Sequence, residues 1–337
     1  MTDLLARASL SNLARMMGPD ASQSTQDEFV RRADDVVHRA FAEGDAASEL
    51  ELHRFLYDIS AHAILPPWDE HYFDCEHPAV LTAHRRAQEA WLAHDSATFG
   101  AGLTVPTAPA DFVAWASSVC ENHASGVTHP LFDFLAERAT FEQLRTFLGQ
   151  ETPFDIHFGD LVALLLPGVH GEQKVELAGN FWDEMGRGKL AITHRRLRLK
   201  MMERVGVASD GYLSDVDGYW IEELRLANMY FQTSVSRRLA PQAIGMMLAT
   251  ELVVPGRIDR QIDGWRRLGL TDEEMHYLRE HVTVDVEHAQ GWLDHVVIPL
   301  ATARPDLMHE VGIGVLRRLE EALKVCGRAM AELESIG

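Results

Sequence analysis

The sequence predicts an all-α protein, on three observations. Apolar residues recur at three- and four-residue spacing along nearly the whole chain. Alternating β-branched runs are missing; only Val253-Val254 and Val296-Val297-Ile298 look strand-like, and both fit helix ends equally well. Turn formers cut the pattern at Pro66-Pro67, Gly100 to Pro109, Pro130, Pro153, Pro167-Gly168, Gly186/Gly188, Ser209 to Gly218, Pro255-Gly256, Pro299 and Pro305, which leaves about a dozen helices.

Taken in order, the first helices are expected around Asp27–Arg39, Glu49–His62 and Ala79–Asp95. The segment GAGLTVPTAP, Gly100 to Pro109, is the candidate linker to a longer helical array. The expected organisation is an N-terminal helical layer, 1–100, followed by one compact unit, 101–337. Gly206 after Arg204 reads as a helix C-terminus. Thr271-Asp272-Glu273-Glu274 reads as a helix start, with a hydroxyl for the first-turn amides and acids against the positive end of the dipole.

At 337 residues the chain is long enough for a sizeable core, and 46% hydrophobic with 24% charged residues argues against disorder. Fifty-one acidic against thirty-one basic side chains give a formal net charge of −20. That charge, with no basic stripe to counter it, repels a phosphate backbone and an anionic bilayer, so neither nucleic acid nor membrane is an expected partner. Three widely spaced cysteines, Cys75, Cys120 and Cys326, fit a reducing compartment rather than a disulfide scaffold or a Cys-based zinc site. Met1 to Arg15 lacks an apolar run flanked by a cleavage site, and the longest apolar stretch, Leu161 to Leu166, is too short to cross a bilayer. The expectation is a cytoplasmic protein acting on a small molecule.

Three segments carry chemistry. In the helix expected after Thr271, His281, Asp285 and His288 stand at i, i+4 and i+7, on one face. Two imidazoles and a carboxylate on one face suit iron or zinc, although a helix with four histidines can also be a solvated one. Val282, Val284, Val286 and Trp292 around the triplet favour burial, where an Asp between two His needs compensation. The second segment, GNFWDEMGRGKLAITHRRL, carries Glu184 and His194; the third, QLRTFLGQETPFDIHFGDLVALLL, carries Glu151 among core-like neighbours. Alone, the second segment reads as a solvated helix end and the third as a core edge. Together, Glu151, Glu184, Asp285, His194, His281 and His288 match a site for two first-row metal ions. A ferritin-like layout would need two Glu-x-x-His pairs, and only Glu273 to His276 has that form.

With these residues in place, Glu142 to Leu300 resembles the haem-oxygenase-like diiron oxidases and oxygenases. FLGQE resembles the segment that supplies that family's first carboxylate, at Glu151. NFWDEMGRG…H is similar to its N-x-x-D-E-x-G…H element, at Glu184 and His194. REHVTVDVEH is similar to its H-x-x-x-D-x-x-H element, at His281, Asp285 and His288. AIGMMLATELVVPGRIDRQIDGWRRLGL, which includes Glu251, also resembles the family.

The resemblance implies a haem-oxygenase-like helical bundle with an added N-terminal helical layer. It also implies two Fe ions cycling between Fe2+ and Fe3+, O2 as co-substrate, an external electron donor or reductase, and a homodimer. The implied activity is N-oxygenation of a small amine, amino acid or amino-heterocycle in specialised metabolism. The alternatives are oxidative C–C cleavage, decarboxylation or desaturation of an amino or fatty acid, and, more remotely, a non-catalytic haem- or cofactor-binding role.

Where N-oxygenating members can carry a further carboxylate three residues before the His, this chain has Ala191. In a regular helix Glu184 and His194 would lie ~15 Å apart along the axis, so a shared site demands a break, which Gly186 and Gly188 permit. Asp155, one turn after Glu151, reads as reaching a substrate pocket or capping a polar edge. His157, six residues after Glu151, points to another helix face and is at most a supporting or substrate-side residue. Glu251 reads as supporting or structural.

Overall fold

Short polar side chains open the first helices. Ser9, Ser22 and Asp45 accept from the amides of Asn12, Thr25 and Ser48 and so start α1 (Leu10–Arg15), α2 (Gln23–Ala42) and α3 (Ala46–Ala63). A computed structural model describes residues 8–99 and 102–336, and every regular element among the described residues is helical. After α4 (Pro78–Phe99) come α5 (Pro109–Asn122), α6 (Pro130–Glu137), α7 (Phe141–Gln150), α8 (Thr152–Asp155) and α9 (Phe158–Leu165). Next are α10 (Gly171–Glu184), α11 (His194–Val205), α12 (Gly211–Ser214) and α13 (Ile221–Val235). The chain ends with α14 (Ala240–Arg267), α15 (His276–Gly291), α16 (Ile298–Ala303) and α17 (Met308–Ile336). The three helices expected before residue 100 lie inside α2, α3 and α4.

The chain divides after Ala101, and Asp210–Asn228 joins the first unit. The sequence reading differs there, because it kept 101–337 as one unit. The physical reason is a set of buried polar bonds that periodicity cannot show. Arg225 donates to Glu49 at 2.7 Å, and the Asn228 side chain donates to the His53 carbonyl at 2.8 Å. Within this unit α2 buries Phe29, Ala33, Val36 and Ala40, a stripe at helical spacing, against α3 and α4. Of the expected linker, Gly100 and Ala101 lie outside the described residues, and Gly102 to Ala108 holds no helix.

The second unit is built around α14, whose first half is buried nearly all round, as a helix enclosed by others must be. It packs on α17, α15, α6 and α5. Two glycines permit the tightest crossing: a Cβ on Gly245 would lie 1.9 Å from the Val311 carbonyl oxygen, and one on Gly314 would lie 2.0 Å from that of Gln242. By length and composition Arg237–Arg267 could cross a bilayer, but 61% of its apolar 18-residue window is buried inside the protein, as expected of a core helix.

Two expected breakpoints behave differently. Pro255-Gly256 does not end a helix; α14 runs straight through it. Packing on several sides holds the helix, while the missing Pro255 amide leaves the carbonyl four residues earlier, that of Glu251, without its helical donor. At Thr271 the expected bonds form, with Glu274 N donating to Thr271 Oγ1 at 3.3 Å, but they close a turn, and the helix starts at His276.

Candidate metal centre

The break expected in the Glu184–His194 segment is present. α10 ends at Glu184, and Gly186, Arg187 and Gly188 follow with φ of 59°, 53° and 79°. Three consecutive left-handed residues reverse the chain, and glycine removes the Cβ penalty at two of them. A 3-10 turn, Leu190–Ile192, then leads into α11, whose first residue is His194. The returning backbone lies so close that a Cβ on Gly186 would stand 2.6 Å from the Ile192 carbonyl carbon and 2.7 Å from the Thr193 amide nitrogen. His194 Nδ1 thereby comes to 2.9 Å from Glu184 Oε1.

From α15, His281 enters the same place: its ring centre lies 4.6 Å from that of His194. Its Nδ1 is 2.8 Å from the Tyr277 carbonyl oxygen, so Nδ1 carries the proton and donates, and Nε2 is left as an acceptor. Glu184, His194 and His281 offer one ligand atom each, all within 4.8 Å of one another. Glu251, Asp285 and His288 form a second group of the same size. His288 is held from two sides, with Nε2 2.9 Å from Asp183 Oδ2 and Nδ1 3.7 Å from Glu251 Oε2. Upstream on α10, Asn180 accepts from the buried Trp292 indole at 2.7 Å, which ties α10 to the π-helical turn Trp292–Val297 following α15.

The electrostatics of the two groups favour a bound cation. Burial raises the Asp285 carboxyl well above its usual range, and Glu251, Glu184 and Asp155 push it further in the same direction. Burial also raises Glu251, more than the facing His288 lowers it. Burial opposes the charge on His288, yet Glu251 and Asp183 outweigh it and push the imidazole up to about 9. His281 is lowered by burial and by the neighbouring His194. For Glu184 burial acts upward, but His194, with His281 and His288 behind it, holds the carboxyl below its usual range. Each group thus feels charges of the other. The fit to a metal rests on one atom above all: His194 Nδ1 is buried, and its close approach to Glu184 lacks hydrogen-bond geometry. A buried imidazole nitrogen beside a carboxylate oxygen, with no hydrogen bond between them, is a pair that a cation would satisfy.

Five of the six residues the sequence singled out as ligands therefore fall into the two groups, and Glu151 does not. It stands at the junction of α7 and α8, accepts from Gln261 at 3.1 Å, and is pushed up to about 8 by burial and by Asp155. The carboxylate grouped with Asp285 and His288 is Glu251, which the sequence reading had placed in a supporting role. Asp155 accepts from the buried Arg198 at 2.7 Å, and His157 packs its ring 5.2 Å from that of Phe231. The part of Asp183 was missed; its only sequence signal was its position beside Glu184, which also suits a solvated helix end.

Residues 145–322, just over half of the chain, match the family model described as iron-containing redox enzyme. The chain belongs to this family. A domain of unknown function with a haem-oxygenase-like fold, from Shewanella denitrificans OS217, superposes with a TM-score of 0.51 at 16% identity over 66% of this chain and 91% of that one. At that identity the likeness shows the fold: the protein has the haem-oxygenase-like, all-helical architecture. No curated protein matches the sequence. Family membership makes the protein an iron-containing oxidoreductase, and the two Glu/Asp/His groups are its candidate iron ligands.

Proposed function

We propose that the protein is a non-haem diiron monooxygenase that N-oxygenates a small amine, amino acid or amino-heterocycle. In this reading Glu184, His194 and His281 hold one iron, and Glu251, Asp285 and His288 hold the other. The observation that carries it is the pair of compact carboxylate–imidazole groups, three ligand atoms each, in a family of iron-containing redox enzymes. When bound, a pair of iron ions supplies two-electron reduction of O2 and transfer of oxygen to the substrate.

The protein's own residues do the rest. Three carboxylates balance most of the charge of two Fe2+ ions. The Tyr277 carbonyl holds His281 in the tautomer that presents Nε2, and Asp183 orients His288 from behind. Glu184, His194, Glu251, Asp285 and His288 are all buried, which keeps bulk water from the reacting atoms. Glu151, outside both groups, keeps its proton at neutral pH and is placed as an acid rather than a charged ligand. The protein works as a cytoplasmic homodimer and takes electrons from a separate donor or reductase.

Ala191, where N-oxygenating relatives can carry a carboxylate, favours a second reading: oxidative C–C cleavage, decarboxylation or desaturation of an amino or fatty acid. One experiment separates the two. The protein is loaded with Fe(II) without oxygen, mixed with 18O2 and a panel of amino acids, fatty acids and heteroaromatic amines, and the products are weighed. N-oxygenation adds labelled oxygen to nitrogen, and the second reading loses CO2 or two hydrogens. Absence of any substrate-dependent O2 uptake, or a haem Soret band on the purified protein, would overturn both.

A further inference from the structure

Two arginines of the second unit, Arg318 buried and Arg257 half-buried, lack an ion-pair contact with an acid. Arg318, on α17, is 2% exposed. Its Nε donates to Thr250 Oγ1 at 3.0 Å, its guanidinium carbon lies 5.9 Å from the centre of the Phe154 ring, and its Nη1 is buried with no hydrogen-bond partner. Arg257 follows Thr250 by seven residues, on the same face of α14. Its Nη2 donates to the Ser125 carbonyl, its guanidinium carbon lies 5.3 Å from the centre of the Phe132 ring, and its Nε also lacks a partner. Among the described residues neither arginine is ion-paired. Arg198, equally buried, shows the usual arrangement, with Asp155 at 2.7 Å.

An unpaired buried guanidinium is destabilising, and a methionine or leucine would fill the same space without that cost. In a chain with an excess of twenty acidic charges, a buried guanidinium without an ion-paired acid, and a half-buried second one beside it, point to an anion supplied from outside. Their surroundings limit its chemistry. Thr250 and Tyr230 touch through their hydroxyls, the Phe154 ring centre lies 4.5 Å from that of Tyr230, and the residue after Thr250 is Glu251 of the second metal group. An anion held there has aromatic walls beside it and the candidate iron ligands next along. Two free guanidinium nitrogens suit a carboxylate better than a phosphate dianion, which asks for more donors.

We propose that Arg318, with Arg257 beside it, binds the carboxylate of the organic substrate, an acid with an apolar body that lies against Phe154 and Tyr230. This rests on the iron-oxygenase reading of the adjoining groups and narrows its substrate class to organic acids, amino acids included. Arg318 is then a binding residue, and its charge is left uncompensated whenever the site is empty.

Binding is measured by calorimetry and thermal unfolding on the metal-free full chain, so that the result does not depend on iron. The probes are L-leucine, hexanoate and phenylacetate, each against its carboxamide, with formate as the charge without a body. At least one acid is expected to bind tenfold or more tightly than its amide and than formate, and to raise the unfolding temperature. Arg318→Met should abolish that preference while unfolding at or above the wild-type temperature without ligand. Should Arg318→Met not fold, Arg318→Lys keeps the charge, and a weakened acid-over-amide preference supports the assignment. Acids that bind no better than their amides or than formate would overturn it. So would an Arg318→Met protein, or an Arg318→Lys protein where the former does not fold, that prefers acids over amides as wild type does. Iron stoichiometry, measured separately, reports on the metal reading alone.

Discussion

Replacing Gly186 by Ala tests how the chain brings His194 back to Glu184. The new Cβ would stand 2.6 Å from the Ile192 carbonyl carbon, where ordinary contact begins near 3.4 Å, so that backbone must retreat by about 0.8 Å. The φ of 59° adds about 1–2 kcal/mol of steric cost for any residue with a Cβ. Both penalties fall on the segment that ends two residues before His194, whose Nδ1 lies 2.9 Å from Glu184. A ligand displaced by that distance leaves its group incomplete, so Gly186→Ala should bind one iron less than wild type while circular dichroism stays helical.

Gly188→Ala is the control. Its Cβ meets only the outer atoms of the Trp182 ring, a half-exposed side chain that can move aside, so its iron loading should fall less. Colorimetric iron determination after anaerobic loading reads both variants. Full iron binding by Gly186→Ala, or an equal loss in both, would refute the argument from the backbone.

Asn180→Ala removes the acceptor of the buried Trp292 indole and should destabilise the protein to urea by about 1–3 kcal/mol; an unchanged midpoint would contradict that bond's role. Gly314→Ala forces a Cβ to 2.0 Å from a carbonyl oxygen on α14 and should prevent stable folding of the second unit, read by loss of soluble protein and of cooperative melting. Burial pushes His84 down to about 4, so the unfolded chain binds more protons between pH 6.5 and 4. Stability is therefore complete above pH 6.5 and falls by at most about 3 kcal/mol as pH drops to 4, and His84→Gln should remove that part of the acid sensitivity. Hydrogen exchange over residues 282–292 should slow when Fe(II) is added, because three polar groups facing the interior gain their compensation; equal exchange in both forms would count against metal binding there.

How far the sequence could be read depended on whether the cause was local. Helical period, the Gly186–Gly188 break and the one-face triplet of α15 are written in neighbouring residues, and they appear in the structure. Pro255 misled because the packing around α14 outweighs a local breaker. Glu251 and Glu151 could not be ranked from sequence, since both are lone glutamates in apolar segments, and only the crossing of α14 with α15 decides which one meets His288. The unpaired state of Arg318 depends on the absence of an acid from helices far apart in the chain. The same holds for Asp210–Asn228, whose buried bonds run to residues more than a hundred positions earlier.

The central claim is that six particular side chains hold two iron ions. Iron per chain after anaerobic loading, measured for wild type, His194→Ala, Glu251→Ala and Glu151→Gln, tests it most directly. The account predicts two in wild type, a loss in His194→Ala and in Glu251→Ala, and two retained in Glu151→Gln. One iron in wild type, or a loss in Glu151→Gln with full loading in Glu251→Ala, would contradict it.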